Sequence, residues 1–199
     1  MIKNVVFDAG GVIVSWDPYD VLAKYVPDRE KWPALHELVF TSREWREMDA
    51  GQYTNEQTRE ILAAKAGPLE GEVRALMDGW MSCIPRKDDT LALMRELKER
   101  GIGVYILSNW CDSFYEAESL RAAVETADGV LVSSEEKLAK PDERIYARLC
   151  EKFSLDKSEC LFTDDMLANI AAAESFGMRG FLFTGAAALR DELAALGVL

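Results

Sequence analysis

The chain has 199 residues, nearly half apolar and under a third charged, enough for one substantial domain or a core plus a small inserted module. Its net charge of −12 excludes the basic stripe of a nucleic-acid binder, so an anionic substrate must be held by a local cation against a repulsive field. Cys83, Cys111, Cys150 and Cys160 show no C-x-x-C spacing and His36 is the only histidine, which argues against zinc. The chain opens straight into a strand pattern and no apolar run reaches membrane-spanning length. The expectation is a reduced, soluble, cytoplasmic protein, monomeric or homodimeric, with no membrane or nucleic-acid partner.

The first element is "VVFDAGGVIV", residues 5–14, a buried-strand pattern that ends on Asp8 and a glycine pair, Gly10 and Gly11. Residues 17–83 then lose the strand pattern. "PYDVLAKYV", "EKWPALHELVF" and "TNEQTREILAAKAG" carry apolar residues at helical spacing, and Thr54 with Gln57 predicts a capping box. Four of the five tryptophans, Trp16, Trp32, Trp45 and Trp80, lie in this block or at its edge.

From residue 86 onward helices and strands alternate. A helix with Leu91, Met94 and Leu97 on one face stops at Gly101, and the strand "GVYILS" ends at Ser108. A helical stretch from Asp112, the strand "GVLVSS" and the helix of "KPDERIYARLCEKF" follow. The strand "ECLFTDD" ends on Asp164 and Asp165, a helix stops at Gly177, and the strand "RGFLFT" precedes a C-terminal helix. This alternation predicts an α/β fold, a doubly wound parallel sheet formed by residues 1–16 and 84–199. The helical block of 17–83 is then an inserted cap over the sheet's carboxyl edge.

That edge is where open α/β sheets bind ligands, and it collects Asp8, Ser108, Asn109, Asp164 and Asp165, with Lys140 just before a helix. Each residue has a bland alternative as a strand-end turn, a helix cap or a solvated lysine. Jointly they present a carboxylate nucleophile, a hydroxyl, a cation and a carboxylate pair, in that order.

The order resembles the four motifs of the haloacid dehalogenase superfamily of aspartate-nucleophile phosphohydrolases. "VVFDAGGVIV" is similar to the first motif, "YILSN" to the second, "AKPDERIY" to the third and "LFTDDMLANIAAA" to the fourth. "EWREMDAGQYTNEQ" looks like the helical cap segment of that family, and the resemblance covers essentially the whole chain. Within the superfamily the chain looks most like the subgroup with "FDLGNV" or "FDLGGV" first motifs, which includes phosphatases of sugar phosphates such as α-D-glucose 1-phosphate.

The resemblance implies Mg²⁺-dependent transfer of a phosphoryl group from a small metabolite to Asp8, then hydrolysis of the aspartyl-phosphate. Asp8, Asp165 and the Gly10 carbonyl would hold the metal. Ser108, the Asn109 main-chain amide and Lys140 would bind phosphate, and Lys140 would offset charge on Asp8 as well. Asp164 and Asn169 would support the site, and Trp45 and Arg46 of the cap would meet the substrate. Arg43, Asp49 and Trp110 are also placed near the overhanging segment.

One position departs from the pattern. Most phosphatases of the superfamily carry a second aspartate two residues after the nucleophile, which protonates the leaving oxygen and later activates water. Here that position is Gly10, and Asp17, Asp164 or a cap residue remain open as replacements. Without one, rates should depend steeply on leaving-group acidity and favour sugar 1-phosphates and aryl phosphates. Alternatives are a metal-free 2-haloacid dehalogenase, whose "FDAYGT" motif has tyrosine where Gly10 stands, and a degenerate member that binds a phosphometabolite or a protein. A phospho-accepting receiver domain fits less well, having its acidic pair after the first strand and no large cap.

Overall fold

A computed structural model describes residues 1–199. Five parallel strands form one sheet: β1 (Asn4–Phe7), β2 (Gly103–Ser108), β3 (Gly129–Val132), β4 (Cys160–Asp164) and β5 (Arg179–Leu182). Their order is β3-β2-β1-β4-β5. The chain therefore steps outward in one direction from β1 to β3, then returns to the other side of β1 for β4. Such a reversal opens a crevice at the carboxyl ends of the two strands that flank it. Phe7 pairs with Ile106 on one side and Thr163 on the other, so Asp8 leaves the sheet at its centre.

Both faces of the sheet are covered, and side-chain alternation along β1 assigns its residues between them. Val6 packs with Ile145, Tyr146 and Leu149 of α9 (Glu143–Phe153) and Ile170 of α10 (Leu167–Phe176). Val5 and Phe7 belong to the larger core, with Leu91, Met94 and Leu97 of α6 (Asp88–Glu99) and Leu189 and Leu193 of α11 (Ala186–Ala195). α10 ends at Gly177, whose φ of 108° makes it the left-handed stop the sequence announces.

Between β1 and β2 the chain forms only helices until α6. These include α1 (Pro18–Tyr25), the short α2 (Trp32–Leu35), α3 (Arg43–Asp49), α4 (Asn55–Lys65) and α5 (Glu70–Gly79), with single-turn pieces between them. The capping box is present: Thr54 Oγ1 accepts from the Gln57 N–H at 3.1 Å, and Gln57 Oε1 accepts from the Thr54 N–H at 3.0 Å. Leu62, Leu76 and Met77 of this block join the same core as Val5 and Phe7, so one apolar continuum connects the helices to the sheet.

Two local expectations shift. The stretch after Asp112 forms single 3-10 turns, because Phe114 turns into the core at 1 % exposure, and the helix proper is only α7 (Arg121–Thr126). β3 ends at Val132 and not at Ser134, since Ser133 opens α8 (Ser133–Glu136) and its hydroxyl bonds away from the sheet. No helix is long and apolar enough to cross a membrane.

Candidate active site

Asp8, Lys140 and Asp164 form the buried centre of the carboxyl edge. Lys140 Nζ lies 2.7 Å from Asp8 Oδ1 and 2.7 Å from Asp164 Oδ2, and it donates to the Leu107 carbonyl at 3.0 Å. The Lys140 side chain is 1 % exposed, so its charge is compensated almost entirely by these two carboxylates. Burial works against the Lys140 cation, but Asp8 and Asp164 outweigh it and hold the ammonium above its ordinary value. Burial likewise pushes the Asp8 carboxyl above its ordinary range, Lys140 pulls it back, and the Asp164 charge adds to the rise.

The supporting contacts are specific. Asn169 Nδ2 donates to both Asp164 oxygens, at 3.1 and 3.0 Å, and the Met166 N–H donates to Asp164 Oδ1 at 2.8 Å. The Tyr146 hydroxyl donates to the Asn169 carbonyl at 2.9 Å, tying α10 to α9. Asn109 has a role the sequence did not suggest. Its side chain accepts from the Lys140 N–H at 2.8 Å and donates to the Lys140 carbonyl at 2.9 Å, so it clasps the backbone that carries the cation. Its main-chain N–H takes no backbone partner, and the buried Ser108 hydroxyl has only a 3.5 Å contact to the Asn109 carbonyl. Both donors are left for a ligand.

Asp165 is exposed and makes no ion pair or hydrogen bond to another residue. Oxygens of Asp8, Asp164 and Asp165 lie within 4.8 Å of one another, and the Gly10 carbonyl accepts no backbone N–H. Hard oxygen donors, one carboxylate unpaired, suit Mg²⁺ rather than a soft metal.

The two glycines do different work. Gly11 has φ +72°, and a Cβ there would overlap the Asp165 carboxylate; Lys87, which sequence reasoning passed over, donates to its carbonyl. Gly10 has an ordinary φ, and a Cβ would meet only Trp16 Cβ at 3.9 Å. Gly11→Ala is therefore expected to cost about 1–3 kcal/mol of stability. Gly10→Ala should stay close to the native urea midpoint. Equal midpoints for the two variants would contradict this assignment.

Above the glycines the helical block closes a cavity of about 70 Å³ walled by Trp16, Trp45, Trp80 and Trp110. Gly10, Asn109 and Asp49 complete its lining. Trp16 stacks on Trp45 at 5.7 Å between ring centroids, and Trp80 meets both edge-on. The structure thus places Trp45 in the lining of this cavity and Arg46 outside it. Arg46 is exposed and donates to the Thr41 carbonyl at 2.8 Å, because successive helical residues point about 100° apart. Asp49, one turn after Trp45, shares its face. Burial and the nearby Asp8 charge push the Asp49 carboxyl up to about 7, opposed by the Trp45 indole N–H and Lys140.

The profile of the haloacid dehalogenase-like hydrolase family matches residues 2–177. The chain belongs to this family. It is 27% identical to the sesquiterpene phosphatase astK of Aspergillus oryzae, over 98% of this chain and 96% of that one. It is 26% identical to the (S)-2-haloacid dehalogenase H-109 of Pseudomonas putida (98% and 91% covered) and 25% identical to the D-ribitol-5-phosphate phosphatase of Bacteroides thetaiotaomicron (98% and 98%). Among solved structures, a family enzyme from Bacteroides thetaiotaomicron in complex with magnesium and inorganic phosphate superposes with a TM-score of 0.75. It is 23% identical, with 91% of this chain and 93% of that one covered, and it supports the fold. The chain is a hydrolase of this family, and the relatives it resembles are named as phosphatases and as a haloacid dehalogenase.

Proposed function

We propose that the protein is a Mg²⁺-dependent phosphatase that passes the phosphoryl group of a small metabolite through Asp8. The observation that carries this reading is the division of labour among the carboxylates. Lys140 is shared by Asp8 and Asp164, while Asp165 stands unpaired against Gly11, its carboxylate within 4.8 Å of theirs. Bound by Asp8, Asp165 and Gly10, Mg²⁺ would offset phosphate charge that a −12 protein otherwise repels. Asp8 attacks phosphorus, and its carboxylate becomes the acyl-phosphate. Lys140 remains beside it as the fixed cation, with Ser108 and the Asn109 amide donating to the phosphate oxygens. Asp164, held by Asn169, keeps Lys140 in place.

The tryptophan cavity narrows the leaving group. Apart from the indole N–H groups, Asp49 and Asn109 are its only polar side chains, and Asn109 is occupied with the Lys140 backbone. A sugar 1-phosphate, the substrate class suggested by the first motif and in keeping with the ribitol-5-phosphate relative, would leave hydroxyls unpaired there. Alcohols with apolar carbon next to the oxygen suit the walls better, in keeping with the relative named as a sesquiterpene phosphatase. Metal-free dehalogenation is favoured less, because an unpaired Asp165 repels a haloacid carboxylate.

The test is phosphate and halide release across prenyl, aryl, sugar and polyol phosphates and 2-haloacids, with Mg²⁺ or excess chelator. Phosphate release only with Mg²⁺, best from apolar esters, is expected. Asp165→Ala should raise the Mg²⁺ needed for half-maximal rate about 10–100-fold. Halide release, or full activity in chelator, would overturn the reading.

A further inference from the structure

We propose that Asp49, carried in by the cap, gives the leaving-group oxygen its proton and later takes one from the attacking water. This rests on the phosphatase reading above and assigns the task that Gly10 cannot perform. In the first step the Asp8 oxygen bonds to phosphorus, the bond from phosphorus to the leaving oxygen breaks, and the Asp49 proton completes the departing alcohol. In the second, water attacks the aspartyl-phosphate, its proton passes to the Asp49 carboxylate, and Asp8 and inorganic phosphate are released.

Position is the first support. Asp49 is the one titratable side chain lining the cavity above Gly10 and Asn109. The other carboxylates considered from sequence are committed elsewhere. Asp17 is exposed and caps α1, accepting from the Tyr19 N–H at 2.8 Å. Asp164 is 0 % exposed and fully engaged with Lys140, Asn169 and the Met166 N–H.

Anchoring is the second support. The Ser133 hydroxyl donates to the Asp49 carbonyl and accepts from the Trp110 N–H at 2.9 Å. One residue, the first of α8, therefore binds the last turn of α3 and the loop that follows Ser108 and Asn109. Two residues beyond Asp49, Gly51 has φ +71° and lies so close to Ser134 that a Cβ would overlap its carbonyl. The cap is pinned on the core at the point where it delivers Asp49, as a proton donor requires.

The electrostatics agree with this placement. The groups that face Asp49 are Asp8 and Lys140 of the catalytic edge, the Cys111 thiol and the Trp45 indole N–H. With burial dominant, the carboxyl titrates at about 7 and can carry a proton near neutral pH.

The experiment measures the phosphorylation step by rapid quench, for alkyl phosphates and for nitrophenyl phosphate, in the native protein and in Asp49→Asn. General acid catalysis is worth about 10²–10⁴-fold and matters most for poor leaving groups. Asp49→Asn should lose that factor with alkyl phosphates and less than about tenfold with nitrophenyl phosphate. It should also give a nitrophenol burst followed by slow turnover, since the second step lacks its base. In native protein kcat/KM for alkyl phosphates should fall above pH about 7, and that limb should vanish in the variant. Adding Gly10→Asp to Asp49→Asn, where a Cβ has room, should recover part of the alkyl rate. Equal losses for all leaving groups, unchanged alkyl rates or an unchanged pH limb would overturn the role of Asp49. Native protein that releases no phosphate from any ester would overturn the phosphatase reading itself, and this proposal with it.

Discussion

Asp8→Asn is expected to abolish turnover, by at least about four orders of magnitude, while leaving a folded protein. The amide oxygen can still accept from the Ala9 N–H, which bonds Asp8 Oδ1 at 2.7 Å, so the turn after β1 keeps its local contact. What disappears is the carboxylate proposed to form the bond to phosphorus. The substitution also removes a charge that burial disfavours, so the change in thermal midpoint should be small. The variant should retain affinity for inorganic phosphate, because Lys140, Ser108 and the Asn109 amide are untouched. Rapid quench with a radiolabelled substrate should find no acid-stable phosphoprotein, whereas native protein should accumulate one if dephosphorylation is slow. A folded variant with near-native hydrolysis would remove Asp8 from the nucleophile's place.

The catalytic edge is legible in the sequence because strand ends are local signals. A short apolar run that stops on a polar residue places that residue at the edge whatever the rest of the chain does, and parallel alternation puts all such ends on one side. Asp8, Ser108, Asp164 and Asp165 are found this way. Lys140 and Asn109 could be placed near that edge, but the clasp between them spans 31 residues and has no sequence pattern. The cap is harder, since the direction in which a helix face points depends on tertiary docking. One available signal concerned helical phase. Ser42 caps α3 by accepting from the Trp45 N–H at 3.0 Å, which fixes the register. Residues four apart then share a face, so Trp45 goes with Asp49 and not with Arg46. That spacing identifies the partner of Trp45 without identifying the face as the one over Asp8. The contact that does so, from Ser133 to the Asp49 carbonyl, joins residues 84 apart in sequence.

Lys140→Met is expected to lower stability by about 3–5 kcal/mol and to remove activity as well. The side chain is replaced by one of similar length, so packing against Phe162, whose ring centroid lies 5.3 Å from Nζ, is largely kept. The charge is not. Two carboxylates, Asp8 and Asp164, are then buried at the centre of the sheet edge with no cation between them. Their desolvation, which Lys140 offsets in the native protein, becomes an uncompensated cost. The sign of the pH dependence follows. Without Lys140 the buried carboxyls bind a proton more tightly in the folded state than in the unfolded chain, so stability is present at low pH and lost as pH rises. The deficit against native protein should therefore be larger at pH 8 than at pH 5, measured by urea unfolding without added metal. Mg²⁺ should narrow it at pH 8 if Asp8 and Asp165 hold the ion, because the metal supplies part of the missing positive charge. A variant as stable as the native protein at both pH values would mean that Asp8 and Asp164 are not held as a charged pair by Lys140. Loss of activity in that variant would then have to be assigned to phosphate binding alone.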